Sequence, residues 1–218
     1  MNWHPAGFAL NTSISNRENM AVCAYATMHK IPFRVYHRGE SVPEGWVPSG
    51  TVEWCQQVLG RKVSPDYYPD WLKGHLGRSV WTEEVWPYNK TVFIKPADTY
   101  KRFTGFVHQS GSWRGKKRGP YWCSEVVHFV NEWRYYVAQG QVLAAGWYDV
   151  EVDEPDAPVL DVIWPEGMCG AVDFGQLSDG RVVLVEYNHP FAAGWYGREH
   201  AKYAEWMCHG WRWVKTMY

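Results

Sequence analysis

Three oxygen-bearing side chains, Asp173, Glu186 and Asn188, lie in one stretch of alternating polar and apolar residues. The pair Asp179-Gly180 within it predicts a β-hairpin with a two-residue turn that has positive φ at both positions. Counting back from that turn places Asp173 opposite Glu186, and the strand period puts Asn188 on the Glu186 face. Two opposed carboxylates repel, and a Mg²⁺ ion between them, which prefers oxygen ligands, removes the repulsion. The pattern therefore predicts a magnesium site; the alternative is a solvated hairpin face without a ligand.

Three cationic side chains have positions suited to an anion. Lys95 ends an apolar strand, and Pro96, which has no N–H, stops the ladder, so the ammonium lies at the edge of a sheet. Lys101 follows on a loop, and the planar guanidinium of Arg134 on a later strand suits bidentate contact with phosphate or carboxylate. The alternatives are a Lys95 side chain that extends into solvent, a solvated Lys101, and an Arg134 that pairs with neighbours on its sheet.

The most basic stretch of the chain runs from Ser112 to Pro120 and contains four cations, Arg114, Lys116, Lys117 and Arg118. It can bind a nucleic-acid backbone, fold over a triphosphate, or be a solvated loop without a role. The histidines and cysteines show no zinc-ligand spacing, and no Ser/His/Asp or Cys/His arrangement is evident. The sequence therefore favours a reaction that needs no protein nucleophile.

Composition excludes several classes of protein. The 218 residues include 22 basic and 23 acidic side chains, and the net charge of -1 gives no general attraction to nucleic acid or an anionic membrane. The 15 Trp and 14 Tyr residues can stack on bases or sugars, but aromatic residues at this density more often form a core. Five scattered cysteines without a signal peptide predict reduced thiols and a cytoplasmic protein, and no apolar run is long enough to cross a membrane.

Local patterns predict an α+β protein with two lobes, residues 1–88 and 89–218. A strand at Phe8 to Leu10, a helix over 16–29 and a strand at Ile31 to Tyr36 indicate a small α/β lobe. Residues 37–88 show no clear organisation beyond possible helices near Val52 to Leu59 and Tyr68 to Leu76. The second lobe is predicted to be an antiparallel sheet followed by a helix from Arg198 to about Cys208. Its predicted strands are Thr91 to Lys95, Gly105 to His108, Cys123 to Val130, Trp133 to Val137, Val142 to Tyr148 and the hairpin described above.

Five separated motifs occur in an order that resembles a known enzyme family. They are VFIKPAD, KRFTG, SEVV, EWRYYV and VLVEYNHPFAAGWYG, and they extend from about Thr91 to Gly197. Together they resemble the compact group of ATP-grasp domains that is named for an arginine and two lysines. The resemblance implies an ATP-grasp fold with a small leading α/β lobe, a nucleotide cleft between sheet elements, and ATP and Mg²⁺ as cofactors.

The resemblance also implies a set of nucleotide-binding residues. Lys95 is expected to contact the phosphates, whereas Glu125 and the backbone of Val126 and Val127 hold adenine. Glu132 is expected to bind the ribose.

Catalytic and metal-binding roles follow from the same resemblance. Lys101 and Arg134 match the second lysine and the arginine of the group, and they are expected to face the γ-phosphate of ATP or an acyl phosphate. Asp173, Glu186 and Asn188 match its magnesium ligands.

The function implied is an ATP- and Mg²⁺-dependent carboxylate–amine ligase that forms an acyl phosphate on an amino acid, peptide or related acid. Two alternatives remain at this stage. One is a phosphotransferase or nucleotidyltransferase on the same fold, and the other is a nucleic-acid- or glycan-binding module that uses the basic stretch and the aromatic residues. Members of the group are common in phages and conflict loci, so the resemblance is compatible with a phage protein; the expected location is the cytoplasm, that of the host if the protein is viral.

Overall fold

The computed structural model describes residues 4–11, 16–37, 39–100, 102–112, 118–148 and 155–217. Over these ranges the chain forms three β-sheets, three α-helices and a 3₁₀ helix at Asp70–His75. The predicted α+β class is confirmed. None of the helices in these ranges is long and apolar enough to cross a membrane.

The first sheet is parallel and belongs to the N-terminal α/β region. Its order is β2-β1-β3, and Phe8 pairs with Phe33 on one side and Val47 on the other. The predicted strand–helix–strand start is therefore correct. Thr51 caps the second helix, because its hydroxyl accepts a hydrogen bond from the Trp54 N–H (3.3 Å). The elements are β1 (Gly7–Asn11), α1 (Asn16–Met28), β2 (Phe33–Tyr36), β3 (Trp46–Ser49) and α2 (Val52–Leu59).

The second sheet is antiparallel and has the order β4-β7-β5-β6. Its strands are β4 (Val80–Glu83), β5 (Val92–Pro96), β6 (Phe106–His108) and β7 (Tyr121–Ser124). One face buries a cluster that includes Trp86, Ile94 and Tyr121. Because Lys95 neighbours Ile94 on β5, its side chain points to the opposite face.

The third sheet has the order β11-β10-β8-β9. The turn between β8 and β9 is tight, since Gln139 and Gly140 both have positive φ (53° and 74°) and Ala138 pairs with Gln141. Trp206 of the last helix donates its Nε1–H to the Gly170 C=O (3.1 Å). The elements are β8 (Phe129–Gln139), β9 (Gln141–Trp147), β10 (Gly167–Leu177), β11 (Val182–Asn188) and α3 (His200–Met217).

Several predicted boundaries are wrong. The strand predicted over Cys123 to Val130 is interrupted, because residues 125–128 form no regular structure. Glu125 leaves the ladder and bonds twice to Ser79: its N–H donates to the Ser79 C=O (3.1 Å) and its carboxylate accepts from the Ser79 N–H (2.8 Å). Strands β3 and β4 have no counterpart among the predicted strands, and α3 extends to Met217 rather than ending near Cys208.

The turn of the β10–β11 hairpin also differs from the prediction. The Leu177 N–H donates to the Arg181 C=O (2.9 Å) and the Gly180 N–H to the Leu177 C=O (2.9 Å), so the loop contains three residues, 178–180. Gly180 takes positive φ (87°) and Asp179 does not, because its carboxylate accepts the Arg181 N–H (3.0 Å) in a local turn. The opposition of Asp173 and Glu186 depends on a two-residue turn and does not follow from this loop.

The chain divides into two compact units, each assembled from separate segments. The first unit contains residues 1–62, 132–173 and 188–218, and the second contains residues 63–131 and 174–187. The predicted lobes, residues 1–88 and 89–218, have different limits and stay a prediction.

Candidate functional site

In the second unit, Lys95 is buried against a carboxylate and two aromatic rings. Its ammonium lies 2.7 Å from the Glu186 carboxylate, and the side chains of Lys95 and Glu186 are 6% and 26% exposed. The same ammonium lies 3.6 Å from the centroid of the Tyr67 ring and 4.5 Å from that of Tyr68. We call these four residues the Lys95 cluster. A lysine that extends into solvent, the alternative from the sequence, is excluded.

Hydrogen bonds to the backbone hold the Lys95 cluster in place. The Tyr187 N–H donates to the Tyr67 C=O (2.9 Å), which ties the residue after Glu186 to the first tyrosine. Arg78 donates to the C=O groups of Leu184 (2.5 Å) and Val185 (3.1 Å) on β11. Burial raises the pKa of the Tyr67 phenol, and the charge of Glu186 raises that pKa further. Tyr67 therefore stays neutral and presents a ring face to the ammonium.

The predicted adenine-binding residues lie in the irregular segment between β7 and β8. Glu125 and Val126 are exposed, and Val127 is half-buried. The carboxylate of Glu125 accepts the Ser79 N–H, so it fixes the position of this segment. Exposed backbone outside a ladder can bond to a ligand, but the roles of these three residues stay a proposal.

In the first unit, Arg134 forms a fork-like pair with Asp173. Its Nε and Nη2 donate to the two carboxylate oxygens, each at 2.8 Å, and the side chains of Arg134 and Asp173 are 8% and 1% exposed. The Tyr148 hydroxyl bonds to both partners, accepting from Arg134 and donating to Asp173. The guanidinium carbon lies 5.1 Å from the centroid of the Tyr148 ring and 5.4 Å from that of Tyr196. We call these four residues the Arg134 cluster.

Arg134 keeps its positive charge although its side chain is buried. Desolvation alone would lower the pKa of the guanidinium, but the charge of Asp173 and the hydrogen bonds to it hold that pKa well above its usual range. The segment after β11 closes around the cluster: the Tyr136 hydroxyl donates to the Gly194 C=O (2.5 Å) and accepts the Tyr196 N–H (2.9 Å). The alternative from the sequence, in which Arg134 pairs with a neighbour on its sheet, is therefore observed, because Asp173 lies on the adjacent strand β10.

Other predicted residues of the first unit have separate surroundings. Glu132 is half-buried, and its C=O accepts the Tyr148 N–H (2.9 Å). Asn188 ends β11 and is half-buried, and the next residue, His189, is buried so that its pKa falls to about 4. The roles of Glu132 and Asn188 are not defined by these contacts and remain proposals.

Asp173, Glu186 and Asn188, the predicted magnesium ligands, carry oxygen donors. Two carboxylates and an amide C=O form the oxygen set that Mg²⁺ prefers. A carboxylate has about four acceptor sites, so pairing with Arg134 or Lys95 does not prevent a carboxylate from binding a metal. The described residues contain no group of three or more His, Cys, Asp and Glu side chains suited to a metal ion, and the predicted set has two acids and an amide. The donor set fits Mg²⁺, and the site remains a proposal.

A small cavity of about 170 Å³ lies in the first unit beside β9. It is smaller than the roughly 300–1,000 Å³ of common ligand pockets, which favours a small ligand. Gly146 lines this cavity and pairs directly with Arg134 across the β8–β9 ladder. Its lining residues are Trp133, Ala144, Ala145, Gly146, Pro155, Asp156, Ala157, Arg198 and Glu199.

Some predicted residues lie outside the described ranges. These include Lys101 and three of the four cations of the basic stretch, Arg114, Lys116 and Lys117. Arg118 is described and exposed.

Four tyrosines of the two clusters were missed in the sequence. Tyr67 and Tyr68 lie in the stretch over 37–88 whose organisation was not recognised, and Tyr148 ends a predicted strand. A signal for Tyr196 was available, because it lies in the FAAGWYG segment of the last motif. Nothing in the local pattern identifies their cationic partners.

The sequence matches the model of a known protein family. Residues 75–206 match family 2 of the ATP-grasp domain clade that is named for an arginine and two lysines. This confirms the family resemblance and, with it, the predicted class of enzyme, an ATP-dependent ligase. A comparison with curated proteins finds no significant sequence match.

Solved structures share the fold at low sequence identity. An ATP-grasp RimK domain protein from Sphaerobacter thermophilus is 12% identical with a TM-score of 0.56, over 93% of this chain and 98% of that one. The ATP-grasp ligase PsnB, complexed with a phosphomimetic variant of its minimal precursor, Mg and ADP, is 11% identical with a TM-score of 0.50, over 99% and 100%. D-alanine–D-alanine ligase from Bacillus anthracis, complexed with ATP, is 10% identical with a TM-score of 0.50, over 99% of each chain.

Proposed function

Because the chain belongs to family 2 of this arginine-and-two-lysine clade of ATP-grasp domains, we propose that it is an ATP- and Mg²⁺-dependent carboxylate–amine ligase. Its substrate is an amino acid, a peptide or a related acid, and it acts in the cytoplasm, that of the host if it is viral. The solved relatives include a ligase with a peptide precursor and a ligase of D-alanine, which supports this substrate class.

The observation that carries the proposal is the pairing inside each cluster. Lys95, a proposed phosphate-binding cation, contacts Glu186, a proposed metal ligand, at 2.7 Å. Arg134 also contacts a proposed metal ligand, Asp173, through two parallel hydrogen bonds of 2.8 Å. At the Lys95 pair, a nucleotide phosphate can replace Glu186 as the partner of the ammonium, and that carboxylate would then be available to a metal. Arg134 keeps its bonds to Asp173 and can contact an anion through Nη1. Buried charges are costly unless they are paired, and a role in binding phosphate and metal accounts for keeping them.

The proposed reaction has two steps. An oxygen of the substrate carboxylate attacks the γ-phosphorus of ATP, the bond to the bridging oxygen breaks, and ADP leaves an acyl phosphate. The amine nitrogen then attacks the acyl carbon, phosphate departs, and the nitrogen loses a proton to give an amide. Every reacting oxygen is anionic, so the barrier falls when cations hold the oxygens together away from water.

The residues have distinct parts in this scheme. Lys95 binds the nucleotide phosphates, and Arg134 and Lys101 face the γ-phosphate or the acyl phosphate. Glu125, Val126 and Val127 bind adenine, and Glu132 binds the ribose. Magnesium, when held by Asp173, Glu186 and Asn188, supplies further neutralisation of phosphate charge. The small cavity beside β9 supports a small acid or amine as the second substrate.

The test supplies ATP, Mg²⁺ and a panel of amino acids and short peptides, and measures ADP release and product mass. We expect Lys95→Met and Glu186→Ala to reduce ADP release by about 100-fold or more, because the first removes a proposed phosphate-binding cation and the second a proposed magnesium ligand. Lys90→Met is the matched control, since Lys90 also pairs with a carboxylate (Glu83, 2.9 Å) beside an aromatic ring but is 55% exposed. It should behave as the wild type.

The outcomes separate the proposed reaction from its alternatives. Equal ADP release by the wild type, Lys95→Met and Glu186→Ala contradicts the proposal. A phosphorylated or adenylated product without an amide identifies a phosphotransferase or nucleotidyltransferase. Salt-dependent binding of oligonucleotides without binding of ATP identifies a binding module.

A further inference from the structure

One hydroxyl in the Arg134 cluster touches both members of the buried ion pair. The Tyr148 hydroxyl accepts a hydrogen bond from Nη2 of Arg134 and donates one to Oδ2 of Asp173 (3.2 Å). The same Nη2 also donates to Oδ2 of Asp173 (2.8 Å), so the three groups form a closed triangle. A hydroxyl has one donor and two acceptor positions, and this arrangement uses it in both capacities.

The ring of Tyr148 is also held by contacts outside the ion pair. It stacks on Tyr196 with 4.2 Å between centroids and 25° between planes. Tyr196 in turn is held at its backbone, because its N–H donates to the Tyr136 hydroxyl (2.9 Å). Its C=O group packs over Gly146, where a Cβ atom would lie 2.3 Å from the Tyr196 carbonyl carbon. The Tyr148 hydroxyl therefore has a defined position, and its hydrogen bonds can hold Arg134 and Asp173 in a fixed orientation.

Of the three guanidinium nitrogens of Arg134, Nη1 is the one that the bonds to Asp173 and Tyr148 do not use, so it can contact an anion. Nε and Nη2 are directed to Asp173 and Tyr148, whereas Nη1 has a long contact of 3.5 Å to the Gly194 C=O. A guanidinium is planar, so fixing two of its nitrogens fixes the direction of the third. The hydroxyl of Tyr148 thus contributes to the direction in which Nη1 points.

We propose that Tyr148 is a positioning residue, whose hydroxyl aligns Arg134 and Asp173 for the phosphoryl-transfer reaction. The inference rests on the proposed function, in which Arg134 faces the γ-phosphate or the acyl phosphate. Tyr148 acts through Arg134 and contacts no reacting atom. It is a residue to which neither the sequence motifs nor the resemblance assigned a role.

The experiment compares Tyr148→Phe with Tyr135→Phe in the full chain. Both variants lose one phenolic hydroxyl, but the Tyr135 hydroxyl donates to the Pro158 C=O (2.7 Å), outside the cluster. We expect Tyr148→Phe to lower kcat about tenfold with less than about threefold change in KM for ATP. Without the hydrogen bonds from the Tyr148 hydroxyl, the guanidinium of Arg134 is held less firmly in the direction that the transition state needs. Tyr135→Phe should leave kcat within about twofold of the wild type.

A double-mutant cycle with Arg134→Lys separates positioning from a general structural effect. If the hydroxyl acts through the guanidinium, Tyr148→Phe should reduce kcat by less than about twofold in the Arg134→Lys background. A full tenfold reduction in that background, or an unchanged kcat in Tyr148→Phe alone, overturns the inference.

The unfolding free energies of the same four proteins distinguish this inference from the proposed function. A wild type that releases no ADP with any acid contradicts the proposed function, and the urea-unfolding cycle still reports whether Tyr148 and Arg134 are coupled. In that case, additive effects of Tyr148→Phe and Arg134→Lys on the unfolding free energy contradict the inference that Tyr148 aligns Arg134. Non-additive effects support it.

Discussion

Lys95 and Arg134, one in each unit, are both held by a carboxylate and two tyrosine rings. The two clusters differ in how far water can reach the ion pair. The Arg134 pair is buried at both ends, with side-chain exposures of 8% and 1%. The Lys95 pair is buried at the lysine (6%) and open at Glu186 (26%). The guanidinium makes two parallel bonds and a third to a hydroxyl, whereas the ammonium makes a single short contact to its carboxylate and lies over ring faces.

This difference separates a rigid pair from an exchangeable one. A planar fork with several bonds resists replacement, because all of its bonds must break together. A point charge beside a partly solvated carboxylate can change partner at lower cost, since Glu186 can be hydrated as it leaves. We therefore expect nucleotide and metal to exchange with the Lys95 pair more readily than with the Arg134 pair.

The largest expected difference between the clusters is in stability. Arg134→Met should lower the unfolding free energy by about 3–5 kcal/mol, because it leaves the Asp173 carboxylate buried without its cation. Lys95→Met should lower it by roughly half as much, since Glu186 can reach water. Urea unfolding of both variants measures the difference, and equal losses would contradict the distinction between closed and open pairs.

A double variant provides the control for this comparison. Arg134→Met with Asp173→Leu removes both charges and should recover most of the lost stability while ATP-dependent activity remains absent. If the double variant is no more stable than Arg134→Met, loss of packing rather than an unpaired charge explains the effect.

A second difference concerns nucleotide binding without metal. Glu186→Gln should tighten binding of ATP in the presence of EDTA by about tenfold, because Lys95 loses a competing anion and ATP loses a repelling one. Asp173→Asn should change this affinity less. Calorimetric titration measures both, and unchanged or weaker metal-free binding in Glu186→Gln would show that the Lys95 pair does not exchange.

A third and smaller difference lies in the aromatic contacts. The ammonium of Lys95 lies 3.6 Å from the Tyr67 centroid, whereas the guanidinium carbon of Arg134 lies 5.4 Å from the Tyr196 centroid. Double-mutant cycles with Tyr67→Leu and Lys95→Met should give a coupling of about 1 kcal/mol, and Tyr196→Leu with Arg134→Met about half of that. Tyr67→Phe keeps the ring and should retain the coupling. A larger coupling energy between Tyr196 and Arg134 would contradict the prediction that Lys95 has the stronger contact with its ring.

The smallest expected effect is that of an exposed ion pair on the same hairpin as Glu186. Arg181 contacts Asp179 at 2.8 Å, but the two side chains are 62% and 52% exposed. Arg181→Ala should therefore give no measurable change in Tm, because water solvates both charges. A clear drop in Tm would mean that burial does not determine how much an ion pair contributes to the stability of this protein.

Local features of the fold could be predicted from local sequence. The first strand and helix, the strand that pairs with β1, and α2 all follow from periodicity over fewer than about 15 residues. Strands β3 and β4 could not be found in this way, because the sequence over 37–88 lacks a clear alternating pattern and both strands are stabilised by pairing with distant strands, β1 and β7. The loop at residues 178–180 was also misjudged, since the Asp179 carboxylate favours a turn in which glycine alone takes positive φ.

Of the candidate site, the sequence predicted the charged residues but not which carboxylate pairs with which cation. Lys95 and Glu186 are 91 positions apart and Arg134 and Asp173 are 39 apart, so no local period relates them. The tyrosines of the clusters carry no charge pattern by which they could be recognised among 14.

The sequence by itself determined the family, the α+β class and the kinds of side chain available for phosphate and metal, because motifs and periodicity are local properties. The tertiary structure alone decided which carboxylate holds each cation, how far each pair is closed to water, and that Tyr148 bridges one of them. Those features depend on long-range packing and on the solvation of charge, which are set when distant strands are brought together.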